Sequence, residues 1–333
     1  MAARLARAVS RQFLPILFAS ALIGLAFPAL ARALNPFVYI GVFGFVLGAL
    51  LRLDPPQVLK QLRFPGQSLT VVVWATVLLP LAANLLPPSL VPAHLLVPLV
   101  VVLAAPTGST NAPVAAALGG NVVLSVLLAV LTLMLAPITM PLVIDQAASA
   151  SAGDFQPVHG ALRLVAILLA SVAATAAVRL IGHDAGASGL ADACASLGLL
   201  IFGIGAMAGM SELIIRDAGP AIQALIVSFC AYGLAFLAGA LVFMSWGRAT
   251  ALSVGLASAS RNMGFVWAAV GTSAPSTTYL FFACYMIPVH VMPLVFKGAQ
   301  SAWISVCRKR AGSQEPPQDR ELRTGPLRRL SRD

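Results

Sequence analysis

Apolar residues form ten long runs along this chain of 333 residues, and short segments rich in charged residues, Pro or Gly separate them. A helix needs about 17–25 predominantly apolar residues to cross a bilayer. The runs are continuous rather than alternating, which favours helices over the strands of a membrane barrel. The predicted spans are 13–31, 36–51, 69–86, 93–118, 121–144, 160–181, 192–215, 219–244, 248–271 and 276–297.

Composition supports the same class. Hydrophobic residues make up 59% of the chain and charged residues only 10%, whereas a soluble domain averages about 25% charged residues. The chain cannot cover a water-facing surface, so a soluble enzyme and a soluble binding module are excluded. No HExxH, GxSxG or P-loop pattern is present, so no enzyme class is indicated. The sequence therefore predicts an all-α polytopic membrane protein that is not an enzyme.

Positive charges indicate the orientation. With the N-terminus in the cytoplasm, 17 of the 21 Lys and Arg residues lie on the cytoplasmic side, and three lie outside, namely Arg32, Arg163 and Arg216. This distribution obeys the positive-inside rule. It predicts a multi-pass protein of a cell membrane, the bacterial inner membrane, with both termini cytoplasmic. The net charge of +10 is concentrated at the two ends, which favours contact with anionic lipid over nucleic acid.

The chain ends carry two further predictions. Residues 13–31 follow a basic segment and precede Ala31-Arg32-Ala33, which resembles a signal-peptide cleavage site. The apolar run is long for a signal peptide, so we expect an uncleaved first span. At the other end, residues 311–333 are polar and rich in Pro and Arg. We expect a disordered basic cytoplasmic tail there, after a transmembrane domain over residues 1–310.

Two spans are interrupted at matching places. Ten spans divide into five and five, and because five is odd the second half would be inverted in the membrane. Segments 105–113 and 258–264 each break the fourth span of their half. Pro106 and Gly108 stop a helix, and the Ser, Thr and Asn residues that follow suit the start of another. The pattern predicts two crossing, discontinuous helices whose ends bind an anion or a cation. The alternative is two kinked helices whose polar residues bond locally.

Arg261 is the only charged residue that we place deep in a span. A charge at that depth costs about 2.5–3.5 kcal/mol on insertion scales, so it is by default a functional hypothesis. No acidic residue lies at comparable depth. The partner of the guanidinium is then either the carbonyl ends of helices or an anionic ligand. A structural alternative is that the side chain extends to the membrane interface.

The two interruptions resemble the bile acid:sodium symporter family. Residues 105–125 are similar to its first crossing motif, with Gly120-Asn121 and Leu124-Ser125 matching the turn into the fifth helix, and residues 250–264 resemble its second crossing. The resemblance implies a panel domain of spans 1, 2, 6 and 7 and a core domain of spans 3–5 and 8–10, with substrate bound between them. The candidate substrate- and ion-binding residues are Ser109, Thr110, Asn111, Ser125, Ser258, Ser260, Arg261 and Asn262.

The chain also departs from the family. In an ungapped match on Asn262, the family's sodium-binding glutamate falls on Ala257 and its glutamine falls on Arg261. Sodium remains a possible ligand, although the carboxylate that would bind it is replaced by alanine. No other metal or cofactor is indicated. Losing a carboxylate while gaining a guanidinium leaves the site about one charge more positive than a sodium-loaded one. The expected substrate is thus a small organic anion.

The expected function is secondary transport of that anion by alternating access, within a lipid bilayer, with sodium coupling and oligomeric state left open. Two alternatives remain, namely a transport-inactive sensor or receptor on the same fold and an inorganic-ion permease.

A further pattern concerns packing. Gly44-xxx-Gly48 and Gly205-xxx-Gly209 are typical of close helix–helix contacts in membranes.

Overall fold

The computed structural model describes residues 13–52, 65–148, 157–181, 184–271 and 274–312. It is 87% helical and has no β-strand within these ranges, so the all-α class is confirmed. The chain divides into two compact units, residues 1–291 and 292–333. The described part of the second unit is the C-terminal end of the last helix.

Fifteen α-helices lie in the described ranges. In chain order they are α1 Phe13–Ala26, α2 Pro28–Leu34, α3 Val38–Leu51, α4 Pro65–Val73, α5 Leu79–Asn84, α6 Ala93–Ala104, α7 Asn111–Leu118, α8 Val122–Ala148, α9 Pro157–Leu180, α10 Asp184–Gly205, α11 Met210–Arg216, α12 Ala218–Val242, α13 Arg248–Ala259, α14 Met263–Val270 and α15 Ser276–Gly312. A π-helical turn, Trp74–Leu78, joins α4 to α5.

Seven helical stretches of the described chain are long and apolar enough to cross a membrane. They correspond to seven of the ten predicted spans. The first predicted span falls short because α1 has only 14 residues. The fourth and ninth fall short because each is divided into two helices, α6 with α7 and α13 with α14. The chain is thus a multi-pass membrane protein, and the total of ten spans remains a prediction.

One predicted boundary was wrong, and a helix-breaking residue explains it. The first helix stops at Ala26 rather than residue 31, because Pro28 starts a new helix at its N1 position. The predicted last span, 276–297, matches the apolar stretch Ser276–Ala299, and the helix that contains it continues to Gly312. The helix includes the first two residues of the predicted tail, 311–333, and the rest of that segment lies outside the described residues.

Helix α3 packs closely along α10, with α1 against α10 and α9 against α3. Glycines allow this approach, as predicted for Gly44, Gly48 and Gly205. A Cβ added to Gly48 would lie 2.6 Å from the Ala191 carbonyl oxygen, which is closer than non-bonded atoms can approach. The prediction was wrong for Gly209, which has a φ of +79° and forms the turn before α11.

A second group of helices packs around α8, which contacts α6, α7 and α13, while α12 lies along α13. Buried apolar side chains fill the space between α4, α8 and α13, and they include Val71, Leu128 and Val254. This packing holds the two interrupted helices against the long helices of the group.

The outer faces of the long helices are apolar. Only 17% of the span over α9 is buried in the protein and 28% of the span over α12. Leu162 and Leu169 on α9 are each 62% exposed, and Leu234 on α12 is 65% exposed. Large apolar side chains on an outer face are expected where the solvent is lipid.

Candidate functional site at the helix crossing

The two interrupted helices meet at their breaks. Thr107, between α6 and α7, forms an antiparallel β-bridge with Arg261, between α13 and α14. The backbone N–H of Gly108 donates to the carbonyl oxygen of Ser260 at 2.9 Å. Backbone groups in an apolar environment must be hydrogen-bonded, because no water is present to satisfy them. Each break therefore satisfies polar groups that the other exposes.

A second backbone bond closes the bridge. The N–H of Asn262 donates to the carbonyl oxygen of Pro106 at 2.8 Å. Proline has no backbone N–H. Pro106 therefore contributes only its carbonyl acceptor to the crossing and leaves no donor unpaired. Gly108 permits the close approach, since an added Cβ would lie 3.1 Å from the hydroxyl oxygen of Ser260. The predicted helix stops thus form an extended crossing.

Arg261 is enclosed in the crossing. Its side chain is 2% exposed and donates three hydrogen bonds to carbonyl oxygens. Nε donates to Ser258 at 3.0 Å, Nη1 to Ala105 at 3.1 Å and Nη2 to Ala75 at 2.8 Å. Of the two partners that the sequence left open, the structure places carbonyl groups around the guanidinium.

The positions of these carbonyls explain why a cation is stable there. Ala105 directly follows α6, and Ser258 lies in the last turn of α13. The C-terminal end of a helix carries about half a negative charge, because its last carbonyls have no helical partner. Ala75 belongs to the π-helical turn between α4 and α5, a feature that is frequent at functional sites. The guanidinium therefore compensates two helix ends at once.

Asn111 joins the same network. Its side chain is 2% exposed, and its amide nitrogen donates to the carbonyl oxygens of Ser260 at 3.3 Å and Leu256 at 3.4 Å. The first residue of α7 thus binds the last turn of α13. Asn262 precedes α14 and makes no side-chain cap bond there; its side chain is half-buried.

The other predicted site residues have separate environments. Ser258 is fully buried, and its hydroxyl accepts a hydrogen bond from the indole N–H of Trp74. Ser125 is buried on α8, where its hydroxyl donates to the carbonyl of Asn121, so it does not bond to the crossing. Ser109 is exposed and Thr110 is half-buried in the turn before α7. The crossing thus unites Asn111, Ser258, Ser260, Arg261 and Asn262.

Sequence reasoning missed two buried residues that support the crossing. The backbone N–H of Thr107 donates to the hydroxyl oxygen of Thr132 on α8 at 3.0 Å. The hydroxyl of Tyr285 on α15 donates to the carbonyl of Ala259, the last residue of α13, at 3.0 Å. A lone polar residue in an apolar run was the available signal for both, but many such residues bond only within their own helix.

Ala257 lies in an apolar environment. The residue is 1% exposed and belongs to a cluster with Val72, Leu124 and Leu128. It stands where the resemblance would put a sodium-binding glutamate, and the described side chains that form its cluster are all apolar. No group of three or more His, Cys, Asp or Glu residues that could hold a metal ion lies in the part of the chain that the structure describes.

Comparison with protein-family models gives no match for this chain, and comparison with curated protein sequences gives none.

Proposed function

We propose that the protein is a secondary transporter that moves a small organic anion across a cell membrane by alternating access, and not an enzyme. The observation that carries the proposal is the crossing of two interrupted helices, bonded to each other through Gly108, Ser260, Pro106 and Asn262. In secondary transporters, discontinuous helices form the binding site near the middle of the bilayer. The resemblance of both breaks to the bile acid:sodium symporter family supports the same function.

The proposal includes ten spans arranged as an inverted five-plus-five repeat with both termini in the cytoplasm. The seven long apolar helices, together with α1 and the two interrupted pairs, supply ten transmembrane segments. Helices α1 and α3 contact α10, and α9 contacts α3. These four helices belong to predicted spans 1, 2, 7 and 6, so the contacts support a panel of those spans. The contacts of α8 with α6, α7 and α13 support a core of spans 3–5 and 8–10.

Arg261 makes sodium unnecessary in this proposal. Its guanidinium takes three carbonyl oxygens, the kind of ligand that unwound transporter helices offer to a bound Na⁺. Guanidinium remains protonated at ordinary pH, so the crossing carries a permanent positive charge. A permanent charge removes the need to bind a cation before the substrate, and it favours an anion nearby.

Uptake of radiolabelled organic acids into proteoliposomes tests the proposal. The panel contains aromatic, aliphatic and dicarboxylic acids, each measured in sodium buffer and in choline buffer, with empty liposomes as the control. We expect saturable uptake of at least one acid, with equal initial rates in the two buffers. No uptake of any acid would overturn the transport function, and binding without uptake would indicate the receptor. A large stimulation by sodium would overturn the role given to Arg261.

A further inference from the structure

A cavity of about 220 Å³ lies apart from the crossing. Its walls come from the turn before α3 and the first residues of α3, the turn between α10 and α11 with the start of α11, the end of α14 and the start of α15. The residues that matter for its chemistry are Asn35, Tyr39, Met210, Trp267, Gly271 and Tyr279. Three of these six residues are aromatic, so the cavity combines flat apolar walls with phenol and amide groups.

Arg163 lies directly beside this cavity. It belongs to the second turn of α9, within the helix rather than in a loop, and its side chain is half-buried. A Cβ added to Gly271 would lie 2.8 Å from Nη2 of Arg163 and closer still to Nη1. The charge of Arg163 also acts on the phenol groups of Tyr39 and Tyr279. The guanidinium therefore lies against Gly271 of the cavity wall, and its charge reaches the two tyrosines of the same wall.

Arg163 takes part in neither of the two ion pairs seen between described residues, Arg32–Glu212 and Arg52–Asp192. An arginine that is half-buried without a carboxylate favours a bound anion, because its fork of N–H donors matches a carboxylate. Arg163 is thus a cation next to the cavity wall, and its guanidinium N–H groups can donate to an anion.

The wall chemistry defines the rest of the ligand. The rings of Trp267 and Tyr279 have centroids 6.2 Å apart and are tilted by 40°, and they form one apolar side of the cavity. The hydroxyl of Tyr279 already donates to the carbonyl of Gly271 and accepts from the N–H of Ala274. Tyr39 also lines the cavity, and no hydrogen bond joins its hydroxyl to a described residue. This hydroxyl is therefore available to donate to a bound anion.

The size of the cavity limits the ligand. Pockets that hold drug-sized molecules have volumes of about 300–1,000 Å³, and this cavity has 220 Å³. Its volume matches a single aromatic ring or a short aliphatic chain better than a steroid skeleton. The volume argues for a substrate smaller than a bile acid.

We propose that this cavity binds a small aromatic monocarboxylate, with the carboxylate on Arg163 and the phenol of Tyr39, and with the ring against Trp267. The inference rests on the proposed function for its biological role, as the entry site of the transported anion. Helix α14 links the cavity to the crossing, since Trp267 and Gly271 follow Asn262 by only one to three turns. A ligand in the cavity therefore contacts the half-helix that begins at the crossing.

Isothermal titration of the purified protein in detergent tests this site directly, with benzoate as the probe and benzamide as its uncharged counterpart. We expect benzoate to bind, and Arg163→Gln to weaken its binding by about tenfold or more, the range of a lost charge-assisted hydrogen bond. Tyr39→Phe should weaken it severalfold. Arg216→Gln is the matched control, because Arg216 is an exposed arginine whose loss changes the net charge equally. Benzamide should bind weakly and equally to all variants.

Two results would overturn the inference, namely no binding of benzoate to the unmodified protein and equal affinities of Arg163→Gln and Arg216→Gln. If Arg163→Gln does not fold, as judged by its thermal transition, the comparison of Tyr39→Phe with the unmodified protein decides. The titration is independent of the uptake assay. Benzoate binding without uptake of any acid leaves the site standing and refutes transport, whereas uptake of other acids without benzoate binding does the reverse.

Discussion

At the scale of single residues, Arg261 shows how a buried charge becomes stable. A charge in a bilayer is costly, but this one donates to three buried carbonyls, two of which lie at the ends of helices. The hydrogen bonds between them offset both the cost of burying the charge and the cost of leaving the helix ends without donors. Since carbonyl groups occupy its donors, we propose that Arg261 acts as a permanent positive charge in the crossing rather than as a group that binds the substrate directly.

Replacing Arg261 by alanine should destabilise the protein. The substitution removes the side chain that donates to three buried carbonyls, and an unsatisfied buried group costs about 1–3 kcal/mol. We expect a loss of at least about 1–3 kcal/mol in unfolding free energy, visible as a lower thermal midpoint in detergent by circular dichroism. Arg261→Lys should be intermediate, since one ammonium retains the charge but lacks the planar fork.

Arg248→Ala serves as the control for that series. Arg248 begins the same helix, α13, and is exposed, so its loss should leave the midpoint nearly unchanged. Equal midpoints for Arg261→Ala and Arg248→Ala would show that the three carbonyl bonds contribute nothing measurable to stability.

At the scale of helices, the contact between α3 and α10 depends on backbone approach. A Cβ on Gly198 would lie 2.5 Å from the backbone nitrogen of Phe45 and 2.6 Å from the Gly41 carbonyl oxygen. Backbone atoms cannot move aside as a side-chain end can, so the two helices would have to separate. Close packing replaces the hydrophobic effect between helices in lipid, which makes such a separation expensive.

Gly198→Ala and Gly189→Ala should therefore shift stability in opposite directions. Both glycines belong to α10, but a Cβ on Gly189 meets nothing within 4 Å. Alanine in a helix is favoured over glycine by about 1 kcal/mol, so Gly189→Ala should raise the thermal midpoint slightly. Gly198→Ala should lower it, by about 1–3 kcal/mol of overpacking. A Gly198→Ala protein as stable as Gly189→Ala would contradict the close contact.

At the scale of the whole molecule, the orientation rests on charge. Seventeen positive residues against three favour cytoplasmic termini, and in the proposed topology of ten spans the segment between the fifth and sixth spans is external. Ser151 in that segment and Gln314 after the last helix both lie outside the described residues. They are suitable positions for labels because neither belongs to a predicted span.

Single cysteines at Ser151 and Gln314 should label from opposite sides of the membrane. The background replaces Cys194, Cys230, Cys284 and Cys307 by alanine, and a membrane-impermeant maleimide is applied to intact and to lysed cells. We expect Ser151→Cys to react in intact cells and Gln314→Cys only after lysis. Labelling of both from one side would refute an odd number of spans between them and, with it, the inverted repeat.

The sequence alone determined the class of the protein and the places where its helices break. Long apolar runs leave no other fold in lipid, since only internally bonded helices satisfy the backbone there. Pro106, Gly108 and the polar stretch around Arg261 act locally, so their effect could be predicted without a fold. Terminal boundaries were less accurate, because Pro28 stopped a run that hydropathy alone would continue.

Only the tertiary structure decided what the breaks do. The bonds from Arg261 to Ala105 and Ala75 join residues 156 and 186 positions apart, and no local pattern specifies such a pairing. The same holds for Arg163, which the sequence placed among loop charges and the fold brings against Gly271. The physical reason is that a side chain's partners depend on how whole helices pack, whereas the position of a helix break depends on the few residues that form it.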